Sequence, residues 1–248
     1  GVTPSYPDIC YLVPDVDPPY LGNSTSIQAW SFEVRRCPNV LAITAGRHVV
    51  NDGDANPMCV LFEALTNIDW GRGIPTAEIN QVNFRAVGVV LFDEGNGFSM
   101  LLDRIEDVGD LIRRVEEQIS GVLYQNPVNG LWEVKLTRAD YDPLTIPELN
   151  ATNVLEIRTF TRGTWEGTSN QVRVPFQQRD DSYKETYGFA QDMALVRIIG
   201  ANVSSTVTHP GLKDKTLANN IAWRTLRTLA IPLAQGTFIV DRTFYGVL

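Results

Sequence analysis

Apolar and polar positions alternate on either side of a turn between Ile119 and Pro143, and the rest of the chain can be read outward from that stretch. Gly121 is expected to take the left-handed conformation that closes a helix, and Pro127 suits the second position of a turn left through Asn129 and Gly130. The loop then has five residues, 126–130. Pairing the flanking strands puts Val122 and Tyr124 on one face with Trp132, Val134 and Leu136, while Gln125, Glu133, Lys135 and Thr137 point the other way. Ahead of the hairpin, Val108, Leu111, Ile112, Val115 and Ile119 recur at helical spacing, with Arg113, Arg114, Glu116 and Glu117 on the opposite face. Glu106 and Asp107 place acid at that helix's start, where it complements the dipole.

The same logic marks four more helices. Asn56 is an N-cap and Pro57 a first helical residue, followed by a stripe of Met58, Leu61, Phe62 and Leu65. Phe84 to Glu94 forms a helix stopped by Gly95, and the Gly95-Asn96-Gly97 loop leads into an apolar strand over 98–102. Asp192 to Ile199 is a short helix ended by Gly200. Leu217, Ile221, Leu226 and Leu229 mark a longer one from about Asp214 to Ala230. Strands are expected at 10–13, 29–34 and 39–44, and at 202–208 and 236–246. The β-branched runs 153–162 and 170–179, joined by GTWEGTS, are read as antiparallel neighbours, with the charged segment 179–188 extending from the second.

With 44% hydrophobic and 20% charged residues in 248, the chain has ample material for a core without metal or disulfides. Cys10, Cys37 and Cys59 are widely spaced and read as buried free thiols. No apolar run approaches the ~20 residues of a membrane helix. The formal charge of −8 argues against gripping nucleic acid through a basic surface, although an acidic wall lets a phosphate backbone pass without sticking. The sequons at Asn23, Asn150 and Asn202 are read as chance. Gly1 at the start and a strand-like run at the end are what a piece of a longer polypeptide would show.

Candidate chemistry is thin. Asp52, Asp54, Asn56 and Glu63 mimic the oxygen spacing of a calcium loop, but Pro57 stands where that loop needs glycine for its turn. His48 and His209 lie in no metal-binding spacing, and His209, before Pro210-Gly211, is assigned a structural hydrogen bond. There is no GxSxG elbow and no phosphate loop, and Gly71-Arg72-Gly73 and Gly95-Asn96-Gly97 are turns. Asp52, Asp54, Asp93, Glu94, Asp140, Asp142, Asp180 and Asp181 leave a two-carboxylate glycosidase open by count alone. Trp70 is assigned as a packed anchor. No catalytic, cofactor-binding or metal site is expected.

Several stretches resemble the tail hub proteins of long-tailed bacteriophages and gene-transfer particles. They are NPMCVLFEALTNIDWGRGIP (56–75), the hairpin with RADYD (138–142), NQVRVPFQQRDDSYKE (170–185) with AQD (190–192), and HPGL (209–212) leading into AWRTLRTLAIPLA. SYPDICYLV near the start is a looser match. The resemblance implies an α+β fold in which tube-like antiparallel β domains carry an inserted α+β lobe as part of a ring-forming hub. Residues 1–50 would be the strand-rich part of a first tube-like domain, 51–148 the α+β lobe, and 149–248 a second tube-like domain with one long helix. It further implies a non-enzymatic structural protein of the virion tail tip, a homotrimer, meeting a tail tube or distal tail protein, a tape-measure protein and DNA in transit. Members of the family are usually much longer, with receptor-reading regions downstream. The alternatives are an adhesin or carbohydrate-binding module, which needs an exposed aromatic cluster drawn from residues such as Trp70, Trp132 and Trp165, or a cell-wall glycoside hydrolase.

Overall fold

Each helix begins where a short polar side chain can accept from its exposed backbone amides. The computed structural model describes residues 34–102, 106–142, 144–146 and 148–242; the strand expected at 10–13, the one expected at 29–34 apart from Val34, and Cys10 lie outside them. The chain divides into two units, Gly1–Val34 and Arg35–Leu248, and all the elements named below belong to the second. Its described residues are mixed α and β, 34% helical and 25% strand, as expected of an α+β fold; their sheets are small and none closes into a barrel.

Helix α1 (Pro57–Thr66) is capped by Asn56, whose side chain accepts from the Met58 amide at 3.0 Å. Helix α2 (Gln81–Asp93) starts earlier than the sequence indicates because Asn80 caps it through the Asn83 amide. Asp107 caps α3 (Val108–Ile119), Asp192 caps α4 (Met193–Ile199) and Asp214 caps α5 (Lys215–Leu229). At the end of α3 the left-handed residue is Ser120, with φ 50°, rather than Gly121, which already belongs to the next strand. Gly200, with φ 77°, ends α4 as expected.

The first core lies among α1, α2, α3 and a hairpin of β3 (Gly121–Gln125) and β4 (Trp132–Leu136). Met58, Leu61, Leu65, Phe84, Leu91, Val115 and Ile119 are fully buried there. A two-residue ladder, β1 (Val49–Val50) with β2 (Asp54–Ala55), flanks it. The strand expected at 39–44 does not form. Ala42 has φ 48°, which breaks extended backbone, and Leu41 and Ile43 are buried in irregular chain beside α2. There the Leu41 carbonyl accepts from Arg85 Nε at 2.7 Å. Residues 98–102 likewise form no strand: only Phe98 pairs, in an isolated bridge to Ala55, while the Ser99 amide donates to the Gly211 carbonyl.

The second core lies between α5 and the sheet β7–β6–β8, with β6 at Gln171–Gln178, β7 at Lys184–Gln191 and β8 at Ser204–Thr206. Val172, Val174 and Phe176 face α5 from β6, and their partners on β7 are Ala190, Gly188 and Thr186. Gly188 is required by proximity: a Cβ there would sit 2.5 Å from the Ala218 carbonyl carbon of α5. The strand 170–179 therefore does not pair with 153–162, contrary to the sequence reading. The connection between them is tied elsewhere, Ser169 N to the Leu229 carbonyl and Asn170 to Ala201 and Val203, which carries β6 into a different sheet from β5 (Val154–Arg162). Strand β5 pairs instead with β9 (Ala234–Val240) in an antiparallel two-stranded ribbon.

Hairpin β3–β4 forms in the expected place but one residue out of the expected register. Gln125 pairs with Trp132 and Leu123 with Val134, so the connecting loop is 126–131. The Gly130 amide, in a residue with φ 73°, closes on the Asn126 carbonyl at 2.7 Å, and this longer closure takes in Leu131. One added residue exchanges the faces of one strand relative to the other. Leu123 joins Val134 and Leu136 toward the core, and Tyr124 joins Glu133. Glu133, on the face opposite Val134 as expected, is buried among polar partners: it accepts from Asn80 Nδ2 at 2.8 Å and from Asn126 Nδ2, Asn129 Nδ2 and Tyr124 OH at 3.1 Å, the tyrosine being brought opposite it by the shifted register.

Candidate assembly surface

Strand β5 carries the sequence VLEIRTFTR, the β-branched and aromatic composition of a strand with a surface to cover. In the structure that surface is open. Leu155 is 68% exposed, Ile157 61% and Phe160 54%, and Ile231 and Leu233 stand exposed just before β9. The exposure is on both faces, since eight of the nine β5 residues are exposed. Phe160 and Phe238 meet across the ribbon with centroids 6.5 Å apart, over Gly236, where a Cβ would strike the Phe238 ring at 2.6 Å. Register shifts between Val154 and Glu156 and between Ile157 and Thr159 bend β5.

Among the described residues neither β5 nor β9 pairs on its outer edge, so each presents a row of free backbone donors and acceptors. A lone two-stranded ribbon is marginal in water, and contiguous apolar exposure of this kind marks an interaction surface. The charges on it are mixed: Glu156 and Arg158 approach to 3.9 Å while well exposed to solvent, which contributes little. The arrangement is therefore built for extension by further strands or for packing against an apolar partner. The sequence identifies 153–162 as a strand; its pairing with a segment that begins at Ala234 and its exposure on both faces have no local signature.

The residues singled out for chemistry do not converge. Asp54 is buried and paired with Arg179, Glu63 forms a two-point ion pair with Arg36 at 2.5 and 2.9 Å, and Asp52 is an exposed turn residue, so the calcium-like spacing forms no cage. Among the described residues no group of His, Cys, Asp and Glu is arranged to hold a metal. Asp93 faces Arg47 at 3.9 Å, and Asp140, Asp142, Asp180 and Asp181 are exposed. His209 is buried, and that burial pushes its pKa down. His48 is half-buried and contributes its carbonyl to the Asn56 amide. Cys59 is buried, which raises its thiol to about 11, and Cys37 is half-buried beside the Gly53 carbonyl.

Trp132 packs against the first core, whereas Trp165 is 56% exposed and Trp70, assigned from sequence as an anchor, is 39% exposed. The Asn67 side chain turns the backbone at Asp69 and Trp70 outward by accepting from both amides. Among the described residues no ring contact joins any two of these tryptophans into a platform.

Two ion-pair clusters with no signal in the sequence span the two cores. One is Asp54 with Arg179, which are 125 residues apart in the chain. The other is Glu94, held by Arg138 at 2.6 and 2.7 Å and approached by Arg224 at 3.6 Å. Burial pushes Glu94 up, but the Arg138 hydrogen bonds and the two guanidinium charges outweigh it and hold the carboxyl below its usual range. No protein-family model and no curated protein matches the chain.

Proposed function

We propose that this chain is a structural virion protein, a tail hub at the distal end of a phage tail, which closes or continues the tail tube and forms part of the channel for DNA ejection. The observation that carries this reading is the β5–β9 ribbon, apolar, exposed on both faces and unpaired at its outer edges among the described residues. A ring subunit needs such strands, because a head-to-tail interface that closes by rotation joins one subunit's free surface to a different surface of the next. The chain's charge of −8 agrees with a lumen that lets DNA slide. The stretches that resemble tail hub proteins supply the specific assignment.

In this reading the 149–248 segment is a tube-like domain, and the assembly is a homotrimer at the virion tail tip. Its neighbours are a tail tube or distal tail protein and a tape-measure protein, and DNA passes without specific binding. The helical lobe with the β3–β4 hairpin stands outside the tube and catalyses nothing.

The test places charge on the ribbon. Ile157→Lys with Phe160→Lys touches neither buried core, so the helical circular dichroism signal of the full chain should be unchanged. Light scattering after size exclusion should show the wild-type chain as a trimer and the double variant as a monomer. A double variant that assembles as wild type would remove the ribbon from the interface and the proposal with it.

A further inference from the structure

The two buried cores share no residue: one is built from positions 41–136 and the other from 172–230. Substantial packing of helix on helix and helix on sheet stays within one or the other. The chain between them, 137–153, is exposed over nearly all of its described length. What crosses is mostly polar. Asp54 pairs with Arg179, which also donates to the Asn51 carbonyl at 3.3 Å; Arg224 of α5 reaches Glu94 beside Arg138; and the Ser99 amide donates to the Gly211 carbonyl at 2.8 Å. Phe98 supplies an apolar contact on this seam, its ring lying so near Gly211 that a Cβ there would come within 2.4 Å of it.

We infer that this junction is an electrostatic latch: Asp54–Arg179 and Glu94–Arg138–Arg224 hold the 35–142 lobe against the 149–242 lobe, and their release separates the lobes while each keeps its core. Partly buried ion pairs suit that role. Removing both charges from water costs about as much as their attraction returns, so separation restores hydration to the same groups that it parts. Two polar atoms on the seam favour release further, since Gln118 Oε1 and Arg224 Nη1 are buried with no hydrogen-bonding partner in the protein and would gain water on opening. Phe98 against Gly211 is the apolar contact identified on the seam, beside a majority of polar ones. Both remaining cores have the composition to persist, one with three helices and a hairpin and the other with two helices and a three-stranded sheet.

The latch stands apart from the assembly reading, because it is read within one chain. Hydrogen exchange followed by mass spectrometry on the full chain reports it through the Ser99 amide, which is hydrogen-bonded across the seam. In Arg179→Gln with Arg224→Gln, peptides covering 98–102 should lose protection, while amides of α1, α3 and β6 keep theirs. The single variants should give intermediate losses. Wild-type protection at Ser99 in the double variant would overturn the latch, since the lobes would then be held by something else. Loss of protection across both cores together would overturn it equally, because the ion pairs would then be supporting the fold rather than joining two lobes that stand without them.

Discussion

Glu133 ties the hairpin to the helical lobe by a measurable energy. In the observed register its carboxylate accepts from three asparagine side chains and one tyrosine hydroxyl at 2.8–3.1 Å, tying the cap of α2 to the hairpin loop. Hydrogen bonds to a charged group are each worth roughly 1.5–3 kcal/mol net. They do not sum, because Asn129 is exposed and water can replace part of its bond, and because burying the carboxylate carries its own desolvation cost. Glu133→Ala should therefore destabilise by about 2–4 kcal/mol. Glu133→Gln should cost nearly as much, since its amide nitrogen would face side chains that are themselves donors.

The charge leaves a second signature. Hydrogen bonds from Asn80 and Asn129, chiefly, hold the Glu133 carboxyl below its usual range. A depressed carboxyl contributes stability that is complete above its unfolded value, about 4.3, and is lost as pH falls through the folded one. Urea denaturation should show that loss in the wild type and not in Glu133→Gln. Were Glu133 solvated rather than buried among these partners, both substitutions would be neutral. A Glu133→Gln protein within about 0.5 kcal/mol of wild type would refute the role of Glu133 as a buried, hydrogen-bonded carboxylate.

Gly188→Ala should destabilise by about 1–3 kcal/mol, because its Cβ meets the Ala218 backbone and α5 has to retreat from the sheet; chemical denaturation measures it. Asn56→Ala removes the α1 cap and two bonds from Nδ2 to the Arg47 and Gly88 carbonyls, and should cost about 2–4 kcal/mol in the same assay. Burial lowers the His209 pKa, so its contribution is present above the unfolded value of about 6.5 and is lost as pH falls below it. Melting temperature should drop across that window in the wild type and less so in His209→Gln.

Helices are the legible part of the sequence because their ends are local chemistry. Asn56-Pro57, Asp107, Asp192 with Gly200, and Asp214 each mark a boundary within a few residues of the chain. Strand partnership is not local. The 39–44 run has the composition of a strand but meets no strand partner among the described residues, and Ala42 turns it. Strand β7 is hidden by its own packing: the positions facing α5 are Thr186, Gly188 and Ala190, small because the helix lies so close, and the exposed ones include Lys184 and Glu185. Turn residues locate the hairpin, yet one residue in the loop decides whether Leu123 or its neighbours Val122 and Tyr124 face the core. The candidate surface is half legible, since β5 reads as a strand while its exposure follows from β6 joining another sheet.

Whether this chain builds a ring at a tail tip comes down to its mass in solution, taken together with electron microscopy of what elutes. A tail hub should be a trimer with a central opening, the β5–β9 ribbon lying at the subunit contacts. A chain that stays monomeric at every concentration, both alone and mixed with a tail tube protein, would contradict that assignment.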